Sequence, residues 1–209
     1  METRNCKICR RVGTKLFLKG DKCLSIKCTM VKKPYPPGQK GKRRTGSVSE
    51  YGKELQEKQR LKNWYNLRER KFKNYVKEAL RARGKVEDTG DLLIKRLETL
   101  LDNVVFRMGF ASSRSAARQM VSHGHIMVNG KKVNVSSYHV KTKDIVSINP
   151  KSASKTIFQD LRNKLNKYNP PSWIKIDADK LEGTVIGEPS LEEANPPAEL
   201  SAIFEFYSR

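Results

Sequence analysis

Acidic residues are scarce in this chain: 22 Asp and Glu stand against 43 Lys and Arg over 209 residues, a formal net charge of +21. Such an imbalance raises self-repulsion on compaction and attracts polyanions. It is unusual for a soluble enzyme. The economical explanation is a polyanionic partner, nucleic acid first and an anionic membrane surface second. Long apolar runs are missing as well. No stretch approaches the roughly 20 apolar residues of a spanning helix. The first residues, Met1 to Arg11, hold two cysteines and no apolar core of the kind a signal peptide carries. No membrane association is therefore expected. A Gly-rich phosphate or cofactor loop is absent, as is any Ser–His–Asp or Cys–His set beyond one cysteine cluster. Asp177 and Asp179 are a close pair, but they lie in a generally acidic tail, so no enzyme activity is expected. No internal repeat is visible. Hydrophobic residues are not scarce, at 37%. They fall in periodic blocks, which argues against a wholly disordered chain.

Cysteine is rare but concentrated. All four lie between Cys6 and Cys28, spaced Cys6-x-x-Cys9, thirteen intervening residues, then Cys23-x-x-x-x-Cys28. A secreted disulfide protein usually spreads its bridges over the domain, whereas a tight cluster in a basic chain suits a metal site in a reducing compartment. Two short-spaced pairs can each supply one edge of a tetrahedral all-thiolate zinc site. With all four positions filled by protein, such a zinc would be structural, with no open position for water. The alternatives are unligated thiols, two disulfides, or an iron–sulfur cluster, which wants more cysteines. Lys7, Arg10, Arg11, Lys22 and Lys27 lie near enough in sequence to offset thiolate charge.

After this module, Lys32–Gly46 reads as an irregular basic arm, broken by Pro34, Pro36, Pro37, Gly38, Gly41 and Gly46 and crowded with Lys40, Lys42, Arg43 and Arg44. A helical pattern follows from Ser47 to about Arg83, with Ser49 as a cap and Phe72, Tyr75, Val76, Ala79 and Leu80 as an apolar stripe. The faces between carry more Lys and Arg than their acids can pair, which suggests a nucleic-acid-facing surface over a merely solvated one. Arg81–Gly90 reads as a linker. A helix is expected from Asp91 to about Phe106, and a second from Ser112 or Ser113 with Ala116, Ala117, Met120 and Val121 inward. Asn129-Gly130 is a type I′ hairpin signal. A strand over Asp144–Ile148, a helix over Ser154–Tyr168 with Ile157, Leu161 and Leu165 inward, a short strand around Trp173–Ile176 and a last amphipathic helix with Leu200, Ile203, Phe204 and Tyr207 complete the pattern. From Asp177 on, acids outnumber bases.

The most specific signal is Leu97–Ile148. Arg114 and Arg118 are four apart on one face of a short helix, and Arg suits phosphate because its planar fork binds two oxygens. Gln119 adds an amide, Ser113 sits near a helix N-terminus, and His123 and His125 flank Gly124. For each histidine a satisfied turn residue is an equal alternative, and no third ligand makes the pair a metal site. The order Arg107, Phe110, Ser113-Arg114, Ala116-Ala117-Arg118-Gln119, Val121, His123-Gly124-His125-Ile126, Val128-Asn129-Gly130 resembles the small RNA-binding module of the S-four superfamily. That module packs two helices on a small sheet. The remaining marks are the cysteine module, Arg43-Arg44, Ser49-Glu50-Tyr51-Gly52 with Leu55, Glu57-Lys58-Gln59, Tyr65 with Glu69, Leu101-Asp102-Asn103-Val104-Val105, and Glu205-Phe206-Tyr207-Ser208-Arg209. With these the whole chain resembles the bacterial-type small-subunit ribosomal protein family number four. Asn66 stands where that family usually has Gly, Leu100 where it has Arg, and Ser136 where it has Pro.

The resemblance implies an α+β fold. Residues 1–46 would form the zinc module and arm. Residues 47–95 would form a mostly helical RNA-binding domain, with a helix at 196–209 packing back on it. Residues 96–195 would carry the S-four cassette (about 97–160), helices on a small antiparallel sheet. The implied partners are the 5′ domain of small-subunit ribosomal RNA, where an early-binding protein organises a multi-helix junction, the number five and number three small-subunit proteins, and messenger RNA near its entrance. The implied location is the cytoplasmic ribosome. By analogy the RNA-binding set is Lys42, Arg43, Arg44, Tyr51, Lys53, Lys58, Arg60, Tyr65, Arg68, Arg70, Arg107, Ser113, Arg114, Arg118, Gln119, His123, His125, Asn129 and Lys131, with one structural zinc on Cys6, Cys9, Cys23 and Cys28. The mechanism would be charge neutralisation and shape recognition of folded RNA. Two rivals are an RNA-modifying enzyme, which would need a catalytic domain, and a free-standing RNA chaperone or translational regulator.

Overall fold

A computed structural model describes residues 4–39, 41, 46–82 and 88–208. They divide into two compact units, one of residues 1–93 with 195–209 and the other of residues 94–194.

The first unit is helical. Its cysteine segment folds as α1 (Arg4–Val12), α2 (Asp21–Leu24) and α3 (Thr29–Lys32). Cys9, Leu16 and Leu18 form a small buried cluster with Ile8, Met30 and Trp64 against it. Two longer helices follow, α4 (Glu50–Trp64) and α5 (Glu69–Arg81). Ser49 caps α4 by accepting from the Gly52 N–H at 3.2 Å, with Glu50 in the first turn where the helix dipole favours a carboxylate. The single helical stretch expected over 47–83 is broken by Asn66, whose φ of +53° is left-handed. The family's usual Gly adopts that conformation freely, and Asn is among the few other residues that tolerate it. Phe72, Tyr75, Val76 and Ala79 form the buried stripe of α5.

Helix α6 (Thr89–Glu98) runs from the first unit into the second, and α7 (Leu101–Arg107) begins after a break. The uninterrupted helix expected from Asp91 to Phe106 is therefore corrected. Leu100 is extended and bridges His139, the Val140 N–H donates to the Thr99 carbonyl at 2.9 Å, and the Leu101 N–H donates to the Tyr138 carbonyl at 2.8 Å. Long-range backbone bonds thus replace the local ladder. Ser113 caps α8 (Arg114–Ser122) through the Ala116 N–H, and Gly124 follows it at φ +71°.

Strands β1 (Ile126–Val128) and β2 (Lys131–Lys132) form the expected hairpin, with Asn129 and Gly130 both at positive φ. Beyond β3 (Ile145–Ile148) come α9 (Pro150–Ala153), α10 (Thr156–Gln159) and α11 (Leu161–Leu165). These replace the one helix expected over 154–168, and Ile157, expected inward, is 59% exposed while Phe158 is buried. The chain continues as β4 (Ile174–Asp177), β5 (Glu182–Val185) and α12 (Leu191–Ala194). Strand β5 had no expectation; Glu182 and Gly183 dilute the strand signal of Thr184 and Val185. All pairings are antiparallel in the order β2-β1-β3-β5-β4. The core of this unit joins Val104 and Val105 of α7, Met108 just after it, Ala117 and Val121 of α8, and Ile126, Val146 and Ile148 of the sheet. In the first unit α13 (Leu200–Ser208) packs on α4 and α5 and buries Ile203.

Candidate nucleic-acid interface

In the first unit a dense row of exposed cations sits on α5 and its cap. Arg68, Arg70, Lys71, Lys73, Lys77 and Arg81 are all exposed, while the apolar stripe faces inward. Lys53 and Tyr51 are exposed on α4, and the Tyr51 ring lies 5.5 Å from that of Phe206. Other residues from the expected set do structural work. Lys58 is 5% exposed, donates to Glu69 at 2.7 Å and lies 4.5 Å from the centre of the Phe206 ring. Arg60 pairs with Glu57, and Tyr65 is buried edge-on to Trp64. Burial opposes the charged form of Glu69, yet hydrogen bonds from Lys58, Tyr207 and Lys62 outweigh it and hold the carboxyl down at about 2. Lys42, Arg43 and Arg44 lie outside the described residues.

The second unit turns on a buried polar knot. Glu98, 1% exposed, receives a two-armed contact from Arg107 Nε and Nη2 at 2.8 Å each, and a hydrogen bond from the Asn103 amide. Arg114, 8% exposed, donates from Nε to Asn103 Oδ1 at 2.6 Å and lies 4.6 Å from the centre of the Phe106 ring. Arg114 and Arg118 therefore do not present one open face. Arg118 remains partly exposed beside Asp102, 3.7 Å away, while Arg114 is drawn inward because Glu98 and Asn103 need a buried cation and donor. Ser113 is spent as the α8 cap. His125 is buried, its Nδ1 2.9 Å from Ser152 Oγ. Burial first, then the nearby charges of Lys155, His123 and Lys132, lower its pKa. The open surface of this unit is Gln119, His123, Asn129 and Lys131, from the end of α8 and the hairpin. Asn129 also braces the turn, donating to Asp144 at 2.8 Å and accepting from the Ile145 N–H. Lys132, exposed beside Gly124, and Lys155, close to His125, were not singled out from sequence. The lysine pair following Asn-Gly was the available signal.

Residues 1–98 match the model of the family described as ribosomal protein S4/S9 N-terminal domain, and residues 100–146 match the S4 domain. Proteins named small ribosomal subunit protein uS4 are similar over nearly the full length. The one from Natranaerobius thermophilus is 48% identical across 98% of this chain and 96% of its own. Those from Kosmotoga olearia and Thermotoga maritima are 47% and 45% identical at 98% of this chain and 96% of theirs. The chain belongs to the uS4 family.

Cys6, Cys9, Cys23 and Cys28 are unbridged, and all four line one small cavity of about 20 Å³ between α1, α2 and α3. Among the described residues, however, no group of three or more His, Cys, Asp or Glu side chains is arranged to hold a metal ion. Burial raises the pKa of Cys9 and Cys23, and the neighbouring thiols raise both further. Arg10 is turned to another segment: its Nε donates to the Tyr35 carbonyl at 2.8 Å and its guanidinium stacks 4.9 Å above that ring.

Proposed function

We propose that this uS4 protein binds the 5′ domain of small-subunit ribosomal RNA early in assembly and organises a helical junction there. It is a structural, non-catalytic constituent of the small subunit, and its place is the cytoplasmic ribosome. The observation that carries the RNA reading is the segregation of charge: α5 and its cap turn six exposed cations outward from an apolar stripe, in a chain of net charge +21. Gln119, His123, Asn129 and Lys131 form the second contact surface, with Arg118 at its margin. Arg107, Arg114, Lys58 and Tyr65 support those surfaces from within. Resemblance adds the number five and number three proteins and messenger RNA near its entrance as neighbours.

The test is a salt-dependent titration against the 5′ domain, with an equal mass of unrelated folded RNA as competitor. Tight binding that survives the competitor supports a specific organiser. Binding that the competitor abolishes puts the free-standing chaperone or regulator first.

One structural zinc on Cys6, Cys9, Cys23 and Cys28 is part of this proposal. Its support is that four unbridged cysteines line one cavity, and that four thiolates form a closed donor set zinc accepts. Zinc would tie α1 to the segment around α2 and α3. Because ligation needs thiolates, binding should weaken as pH falls. Native mass spectrometry should find one zinc per chain; a mass matching two disulfides would refute the site.

A further inference from the structure

One groove in the helical unit is used by nothing described so far. It opens between α1 and α4, has a volume of about 800 Å³, and is lined by side chains of both helices. Gln56, Gln59 and Asn63 stand at i, i+3 and i+7 of α4, which puts three carboxamides on one helix face. Across from them are Lys7 and Arg11, four apart on α1 and both exposed. Ile8 and Leu55 supply apolar lining. Gln56 donates to the Val12 carbonyl at 2.9 Å and so ties α4 to the end of α1. The side-chain amides of Gln59 and Asn63 have no hydrogen-bond partner among the described residues and are half-buried toward the groove.

We infer that this groove takes an unpaired nucleotide of the RNA, its base edge against Gln59 and Asn63 and its phosphate between Lys7 and Arg11. The inference rests on the RNA-binding reading above and adds base recognition to it. A carboxamide offers a donor and an acceptor side by side, as the edge of a nucleobase does. Unstacked bases are the usual targets of sequence-specific RNA recognition. An acidic peptide could also meet Lys7 and Arg11 and pair its backbone with the amides; the nucleotide is preferred because the groove lies in a chain of net charge +21 whose exposed α5 cations already point to RNA. Two amides at i and i+4 of one helix are also held at a fixed spacing, which a floppy loop would not provide.

The test compares two double variants with the full wild-type chain on the 5′ domain of small-subunit ribosomal RNA. Gln59→Ala with Asn63→Ala should weaken binding on the order of tenfold, from the loss of hydrogen bonds to a base. It should leave the salt slope unchanged. Lys7→Ala with Arg11→Ala should instead flatten the slope by about one charge per residue. Ala is the best helix former, and circular dichroism checks that both variants keep the fold. In parallel, reagents that modify Watson–Crick edges should find a nucleotide protected by wild type and reactive again with Gln59→Ala, Asn63→Ala. Unchanged affinity and footprint in that variant, with wild type binding tightly, overturns the groove alone and leaves a protein partner to claim it. Wild type that shows no preference for the 5′ domain overturns the function and the groove together.

Discussion

Glu98 has no route to solvent, and its carboxylate is taken up by Arg107 and Asn103. Removing one partner of a buried pair strands the other in a low dielectric and costs roughly 3–5 kcal/mol. Glu98→Ala should therefore lower the stability of the second unit by about that much in urea melts, since Arg107 and Arg114 would both face a missing anion. A loss under about 1 kcal/mol, the level of an exposed pair, would contradict the knot. His125 makes a second residue-level case. Its folded pKa lies below the ordinary 6.5. A base with a depressed pKa stabilises the fold above its unfolded value, and that contribution disappears as pH falls below it. Stability should then decline from about pH 7 downward, and the decline should shrink in His125→Gln; an NMR titration in which the ring protonates at its ordinary value would refute this. The arginine knot was illegible in sequence. Arg107 and Arg114 look like any RNA-facing arginines until Glu98, from another helix, is seen beside them.

Among elements, α13 shows how a terminal helix is held. Its Tyr207 hydroxyl donates to Glu69 at 2.8 Å, and Phe206 lies under Lys58. Glu69 is nearly half exposed, so its pairing with Lys58 and Lys62 is screened by water and contributes modestly. Its depressed pKa stabilises the fold above the ordinary carboxylate range, and that stability is lost as pH falls toward about 2. Tyr207→Phe removes one hydrogen bond, so it should cost about 1 kcal/mol near neutral pH and less in strong acid. Equal melting of variant and wild type at pH 7 would show the bond contributes nothing. Above about pH 10 wild type should also weaken, because burial and Glu69 raise the Tyr207 pKa and favour its neutral form. The stripes of α5 and α13 were legible because one helix face repeats every 3.6 residues. The break between α6 and α7 was not, since it depends on Thr99–Leu101 bonding to residues 138–140, some forty positions away.

At the scale of the whole molecule, charge dominates. If binding neutralises ~6–10 phosphates, affinity should drop by ~10³–10⁵ between 50 and 200 mM salt. A shallow slope would mean that fewer cations meet RNA than α5 and the hairpin expose. That the partner is a polyanion, and that the chain carries a helical part and a helix–hairpin cassette, followed from composition, periodicity and the Asn129-Gly130 signal alone. These depend on local chemistry: net charge, a 3.6-residue repeat, a turn that needs two positive φ angles. Which basic residues remain open to a ligand was decided only by tertiary structure. Burial turns Lys58, Arg107 and Arg114 into partners of Glu69, Glu98 and Asn103, and it leaves Gln59 and Asn63 facing a groove whose other wall is α1. The physical reason is that a side chain's role is set by which charges and dipoles the fold packs within a few ångströms of it, and sequence spacing fixes such neighbours only within one helix or hairpin.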